Sequence, residues 1–215
     1  IYTSSFWGGV VTLDPIMSYS YPANALPSHM QSLLDGGYKL ARDDDGNYYS
    51  VSALQSVEQI HPIIQTQVSN SYNNSYGVSG TLFAEANPLK GLTLTSRLGY
   101  RFNTNSSYYY AYYYYGNPVR SNTTNNGVSR SMSTTRYYQW ENFANYTKTW
   151  DKHTLTAMAG MAFDKSHTEY VSAGVSDVKY DDPLFADVSY PSADASLSNS
   201  GYYSEAAKLA YFGRV

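Results

Sequence analysis

The stretch that most constrains the fold is Gly91–Phe102, GLTLTSRLGYRF. Leu92, Leu94, Leu98, Tyr100 and Phe102 fall on one side of an extended chain, with Ser96 as the one weak member. Thr93, Thr95, Arg97, Gly99 and Arg101 fall on the other. This is a period of two, apolar on one face and polar on the other. The run matches the roughly 9–11 residues that a tilted strand needs to cross a bilayer. Strands of soluble domains average about 5–6 residues. The terminal aromatics suit the interfacial girdle of an outer-membrane barrel. Taken alone, the run also fits an ordinary strand of a soluble β-protein.

The neighbouring sequence repeats the pattern. Residues 76–86 place Tyr76, Val78, Gly80, Leu82, Ala84 and Ala86 on one face. The turn Asn87–Gly91 then leads into the opening strand as an antiparallel hairpin. About Thr134–Thr149, Tyr138, Trp140, Ala144 and Tyr146 alternate with Gln139, Glu141, Asn145 and Thr147. Trp150-Asp151-Lys152 makes a second short turn. In His153–Asp164, Leu155, Ala157, Ala159, Met161 and Phe163 share a face. A last strand starts near Glu205 and carries Ala207, Leu209, Tyr211, Gly213 and Val215 on one side. Between these hairpins lie polar segments, expected as long loops at about 103–133 and 171–203.

Residues 1–75 lack periodicity and are rich in Gly, Pro, Asn, Asp and Ser, with helical turns expected at Ser28–Leu34 and Ser52–Ile60. The chain is therefore expected to hold a loop region over 1–75 and consecutive antiparallel strands over 76–215. Short turns alternate with long loops, as in bacterial outer-membrane barrels. The fold expected is all-β: an antiparallel transmembrane β-barrel segment of about five strands with long extracellular loops. Five strands cannot close, and open edges are not tolerated in lipid. The missing wall is expected elsewhere, and the chain is expected to be an internal piece of a longer protein.

Composition narrows the function. The 215 residues carry 14 Lys+Arg against 17 Asp+Glu, a net charge of -3. That balance argues against a nucleic-acid partner held by a basic surface. Cysteine is absent, which removes disulfides and thiolate metal sites. No run of about 20 apolar residues is present, so no transmembrane helix is expected. Charged residues make up 14%, below the roughly 25% of an average soluble domain. Tyrosine stands in their place, with 25 copies against 7 Phe and 3 Trp. Its ring buries while its hydroxyl hydrogen-bonds, which suits membrane interfaces and surfaces that bind sugars or peptides.

The candidate binding residues follow from that. Tyr108, Tyr109, Tyr110, Tyr112, Tyr113, Tyr114 and Tyr115 form an aromatic run. They could stack on a ligand, or pack against neighbouring loops. Trp7 has the same two readings. Arg97, Arg101, Glu141, Lys208 and Arg214 fall on the polar faces and are expected to line a barrel lumen. Asp43-Asp44-Asp45-Gly46-Asn47 hints at calcium, but the EF-hand register puts Ala41 first and Ser52 last, where Asp and Glu belong. A solvated turn is expected there. The four histidines are scattered, no catalytic or metal-binding spacing is visible, and no phosphate-binding glycine loop exists. No enzyme activity, metal or cofactor is expected.

Several stretches together resemble the SusC/RagA-like TonB-dependent transporters of the Bacteroidota. NPLKGLTLTSRLGYRF is similar to a turn and strand of that family, and YYQWENFANYTKTWDKHTLTAMAGMAF to its next hairpin. YFGRV resembles the start of another strand; SFWGGVVTLDP and DDDGNYY resemble the preceding loops. The resemblance covers nearly the whole chain but only a middle part of the family's barrel. It implies a large, 22-stranded barrel in the outer membrane of a Gram-negative bacterium, in contact with lipid and lipopolysaccharide. It also implies an N-terminal plug inside the barrel, a SusD-like surface lipoprotein as partner, and import of glycans or oligopeptides. Energy would come from the TonB complex through that plug, which this chain does not contain. The alternatives are a passive porin or barrel-anchored adhesin, or a soluble Tyr-rich carbohydrate-binding β-protein. The sequence does not choose between glycan and peptide.

Overall fold

The computed structural model describes residues 10–11, 17–53, 60–124 and 126–215. The chain divides into two compact units. The first gathers Ile1–Tyr72, Tyr108–Arg130 and Ala173–Ser198; the second gathers Asn73–Ser107, Ser131–Ser172 and Asn199–Val215.

Five long strands dominate: β3 (Ser69–Leu89), β4 (Leu92–Ala111), β7 (Gly127–Trp150), β8 (His153–Val178) and β9 (Pro191–Arg214). They form one antiparallel sheet in the order β3-β4-β7-β8-β9. Among the described residues the sheet does not close, and β3 and β9 are its edges. No described helix is long and apolar enough to cross a membrane.

In the second unit the alternation behaves as the sequence implies. On the apolar face the rings of Tyr100 and Tyr138 lie 5.1 Å apart. Trp140 Nε1 donates to Ser96 Oγ at 3.1 Å, so the weak member of that face satisfies the indole N–H. On the polar face Arg97 pairs with Glu141 at 3.6 Å and stands over the Phe143 ring. Among the described residues nothing covers the apolar face: Leu82 is 75%, Leu98 47% and Leu209 54% exposed. Gly91 closes the β3–β4 hairpin at a φ of 84°, in the left-handed region. A Cβ there would collide with the Thr147 carbonyl, and the Gly91 carbonyl accepts the Thr147 N–H at 2.8 Å. Both reasons require glycine at this turn.

The strands run well past the apolar pattern. The expected loop at 103–133 shrinks to the segment between Ala111 and Gly127, and that at 171–203 to the segment between Val178 and Pro191. Likewise β3 begins at Ser69, inside the expected loop region over 1–75. The reason is that polar cross-strand pairs take over where apolar ones stop. Ser107 and Ser131 hydroxyls bond at 2.6 Å, Thr104 and Thr134 at 3.5 Å, and Ser196 N–H donates to Ser176 Oγ at 3.1 Å. A strand that is polar on both faces has no hydrophobic period to detect.

The first unit adds short elements: β1 (Ser20–Tyr21), α1 (Ser28–Asp35), β2 (Tyr48–Tyr49), α2 (Pro62–Gln67), β5 (Tyr114–Tyr115) and β6 (Ser121–Asn122). β1 pairs with β2, and β5 with β6, both antiparallel. α1 covers the turn expected at Ser28–Leu34. The turn expected at Ser52–Ile60 falls mostly outside the described residues. α2 was not expected; Pro62 sits at its first turn, where a missing N–H costs nothing.

Three small cores hold this unit together. Met30, Leu40, Tyr48, Val51 and Tyr115 form one, and Tyr49, Ile60 and Ile64 a second. The third joins Tyr108, Tyr110, Val128, Val175, Val178 and Ala186. The Asp43–Asn47 segment is a hydrogen-bonded turn, as the sequence expects. Asp43 Oδ1 accepts the N–H groups of Asp45 and Asn47, and Gly46 takes a φ of 83°.

Candidate functional site

The tyrosine run divides by role. Tyr108, Tyr110 and Tyr115 are buried, at 4%, 0% and 8% exposure, and offer no ring face to a ligand. The Tyr108 hydroxyl donates to the carbonyls of Pro183 and Ala186, each at 3.1 Å. The Tyr110 hydroxyl donates to Asp181 Oδ1 at 2.8 Å. These two rings pin the β8–β9 connection onto β4. Tyr109 is 47% exposed. Tyr112, Tyr113 and Tyr114 are half-buried. Trp7 lies outside the described residues.

Tyr113 and Tyr114 stand between two clefts of the first unit. The larger, about 860 Å³, is bounded by α2 and the start of β3, and offers Gln65, Gln67, Asn70 and Ser71 beside Tyr112. The smaller, about 340 Å³, is bounded by Gly36–Lys39 and offers Lys39, Asn122 and Thr123. Amide and hydroxyl groups both donate and accept. Beside aromatic rings they make a lining that can hold peptide bonds or sugar hydroxyls.

A network behind Tyr113 fixes it in place. Its hydroxyl donates to Asp177 Oδ1 at 3.0 Å, and the Lys39 ammonium stands 4.6 Å from its ring centre. Lys39 also pairs with Asp181. Asn126, only 1% exposed, donates to Asp181 Oδ1 and to the Tyr110 hydroxyl, and its own carbonyl accepts the Val178 N–H at 2.8 Å. Burial works to raise the Asp181 pKa. Hydrogen bonds from Lys39, Tyr110 and Asn126 outweigh it and hold the carboxyl below its ordinary value.

Lys39, Asn126, Asp177 and Asp181 carry no local signal in the sequence. Lys39 and Asp181 are separated by 142 positions and meet only through the fold. The one hint is compositional: acids and an amide flank segments that are otherwise tyrosine and serine.

Of the five residues expected on the inner faces, the structure brings Arg97 and Glu141 together as an ion pair. Arg101, Lys208 and Arg214 make no ion pair among the described residues. Thr95, on the same face, is buried at 9% exposure.

His61 caps α2. Its Nδ1 accepts the Ile63 N–H at 3.3 Å, and its ring packs against Tyr49 and Tyr19. Burial lowers its pKa below the usual 6.5. Protonation would also end the acceptor role and place a cation at a helix N-terminus. The folded state resists the proton, so the unfolded chain binds more of it below about pH 6.5. The contribution is complete above that pH and is lost as pH falls through it. Relative to its intrinsic rate, which itself slows as pH falls, amide exchange at Gln65, whose N–H bonds the His61 carbonyl, should therefore accelerate between about pH 7 and pH 5. His61→Asn, which caps without titrating, should remove the extra acceleration.

No family model and no curated protein matches this sequence. Solved structures do. The chain is similar to the structure of the RagAB peptide transporter, at 20% identity and a TM-score of 0.65 over 80% of this chain. Structures of the RagAB peptide importer in the "open-open" and "closed-closed" states align equally well, at 20% and 19% identity and TM-scores of 0.65. In each case the match spans 19% of the other chain, so this sequence corresponds to about a fifth of its length. At this identity the likeness establishes a shared fold over that segment.

Proposed function

We propose that this chain is part of the wall and outer loops of an outer-membrane β-barrel importer of the SusC/RagA-like, TonB-dependent kind. Oligopeptides are its cargo ahead of glycans. A SusD-like lipoprotein helps to capture the cargo at the cell surface. A plug elsewhere in the protein couples release to the TonB complex. The protein binds and passes its cargo without covalent chemistry.

One observation carries the reading. An open antiparallel sheet with an uncovered apolar face superposes over 80% of the chain on peptide-transporter structures. An uncovered apolar face of this size needs a partner or a lipid solvent. The paired clefts beside Tyr113 and Tyr114 support a role in holding cargo, since their amide, hydroxyl and aromatic lining can bond and stack on peptide groups.

The test uses the full-length protein in cells and a fluorescent oligopeptide mixture. Tyr113→Ala and Tyr114→Ala should each weaken surface capture about threefold to tenfold, equivalent to about 1 kcal/mol per ring. Loss of TonB should leave capture intact and stop import. Import that continues without TonB would point instead to a passive pore and contradict the proposal.

A further inference from the structure

The uncovered face of the second unit changes chemistry along its strands. On β7, strand alternation places Lys148, Tyr146, Ala144, Asn142, Trp140, Tyr138 and Arg136 on this side. Leu155, Ala157, Ala159, Met161 and Phe163 follow on β8, and Leu209 and Ala207 on β9. Beyond them the same face turns ionic within two residues on every one of these strands. Lys165 Nζ pairs with Glu205 Oε1 at 2.6 Å. His167 lies between Glu169, at 2.9 Å, and Glu205, at 3.6 Å. Arg136 reaches Glu169 at 3.9 Å, and the Tyr203 hydroxyl donates to Glu205 at 2.7 Å. The contacts link β7, β8 and β9 in one row across the sheet.

Resting on the reading above, we propose that this row marks where the hydrocarbon of the outer leaflet ends. Lipid acyl chains cover the face from Tyr146 up to Tyr138, Phe163 and Ala207. Polar headgroups and water meet Arg136, Lys165, His167, Glu169 and Glu205. Charge, aromatic placement and strand length all put the boundary there. A lipid-facing Arg or Lys costs about 2–4 kcal/mol at the midplane and about 0–1 near the interface, so a row of charges belongs at the edge. Aromatics mark both limits of the band: Tyr100 and Tyr138 lie directly beneath the row, and Tyr146 lies at the other end. The length also fits. Ten positions separate Tyr146 from Arg136. At about 3.3 Å per residue and a tilt of about 40°, they rise about 25 Å, the height of a barrel's apolar band. Lys148 lies just past Tyr146, so a cation ends the band on both sides of β7.

The test places a nitroxide at single cysteines in an otherwise cysteine-free, full-length protein in phosphatidylcholine vesicles. The variants are Ala159→Cys, Ala207→Cys and Val171→Cys, all on this face, with Val171 past the ionic row. Collision with oxygen, which concentrates in hydrocarbon, is compared with collision by a water-soluble nickel chelate. Oxygen should dominate at Ala159 and Ala207, and nickel at Val171, although valine is as apolar as its neighbours below. Oxygen dominating at all three positions, or nickel at Ala207 with oxygen at Ala159, would overturn the boundary and leave the barrel reading standing. Nickel dominating at all three would overturn the barrel reading itself.

Discussion

Tyr110→Ala is expected to destabilise the first unit by about 3–5 kcal/mol, the cost of emptying a large buried aromatic site. Tyr110 is fully buried among Tyr108, Val128, Val175, Val178 and Ala186. Its hydroxyl also donates to Asp181, which shares the buried amide of Asn126. Truncation therefore leaves a cavity and removes a donor from a partly buried carboxylate. Tyr110→Phe keeps the packing and loses only the hydroxyl, and should cost about 1–2 kcal/mol. Limited proteolysis of the full-length protein measures both. Cleavage between Val178 and Pro191 should become fast in the alanine variant and only modestly faster in the phenylalanine variant. If the alanine variant resisted cleavage like the parent, the connection would be held by contacts other than Tyr108 and Tyr110.

The second large effect concerns the uncovered face. Leu98→Arg should cost about 2–4 kcal/mol in a lipid bilayer, because it sets a charge against hydrocarbon near the middle of the band. Thr81→Arg, on the opposite face and solvent-exposed, should be mild. Thr95 is a poor control although it faces the same way, because at 9% exposure a charge introduced there would itself be partly desolvated. The folded fraction after insertion into vesicles, read from heat-modifiable gel mobility, compares the variants. Equal losses for Leu98→Arg and Thr81→Arg would contradict the assignment of faces.

Gly91–Phe102 shows what was legible in the sequence. Its period of two gave the strand, its two faces and, with Asn87–Lys90 before it, the hairpin. Arg97 and Glu141 were read onto polar faces of separate strands, and the structure pairs them. The extent of the strands was less legible, because Asn103–Ala111 and Ser129–Thr135 alternate nothing apolar. Their pairing rests on backbone ladders and on hydroxyl contacts such as Ser107 with Ser131. The tyrosine run was legible as an aromatic feature, but not in its division of labour. Tyr110 and Tyr109 look alike in sequence; one is fully buried and the other 47% exposed. What separates them is the connection after β8, whose Asp181, Pro183 and Ala186 supply the partners. Long-range loop packing of this kind leaves no local period.

These observations bear on a single claim, that the apolar face of the sheet is solvated by lipid. Fractionation of cells that produce the full-length protein tests it most directly. The protein should sediment with the outer membrane, resist extraction by alkaline carbonate, and enter solution only with detergent. Recovery in the aqueous fraction without detergent would contradict the claim.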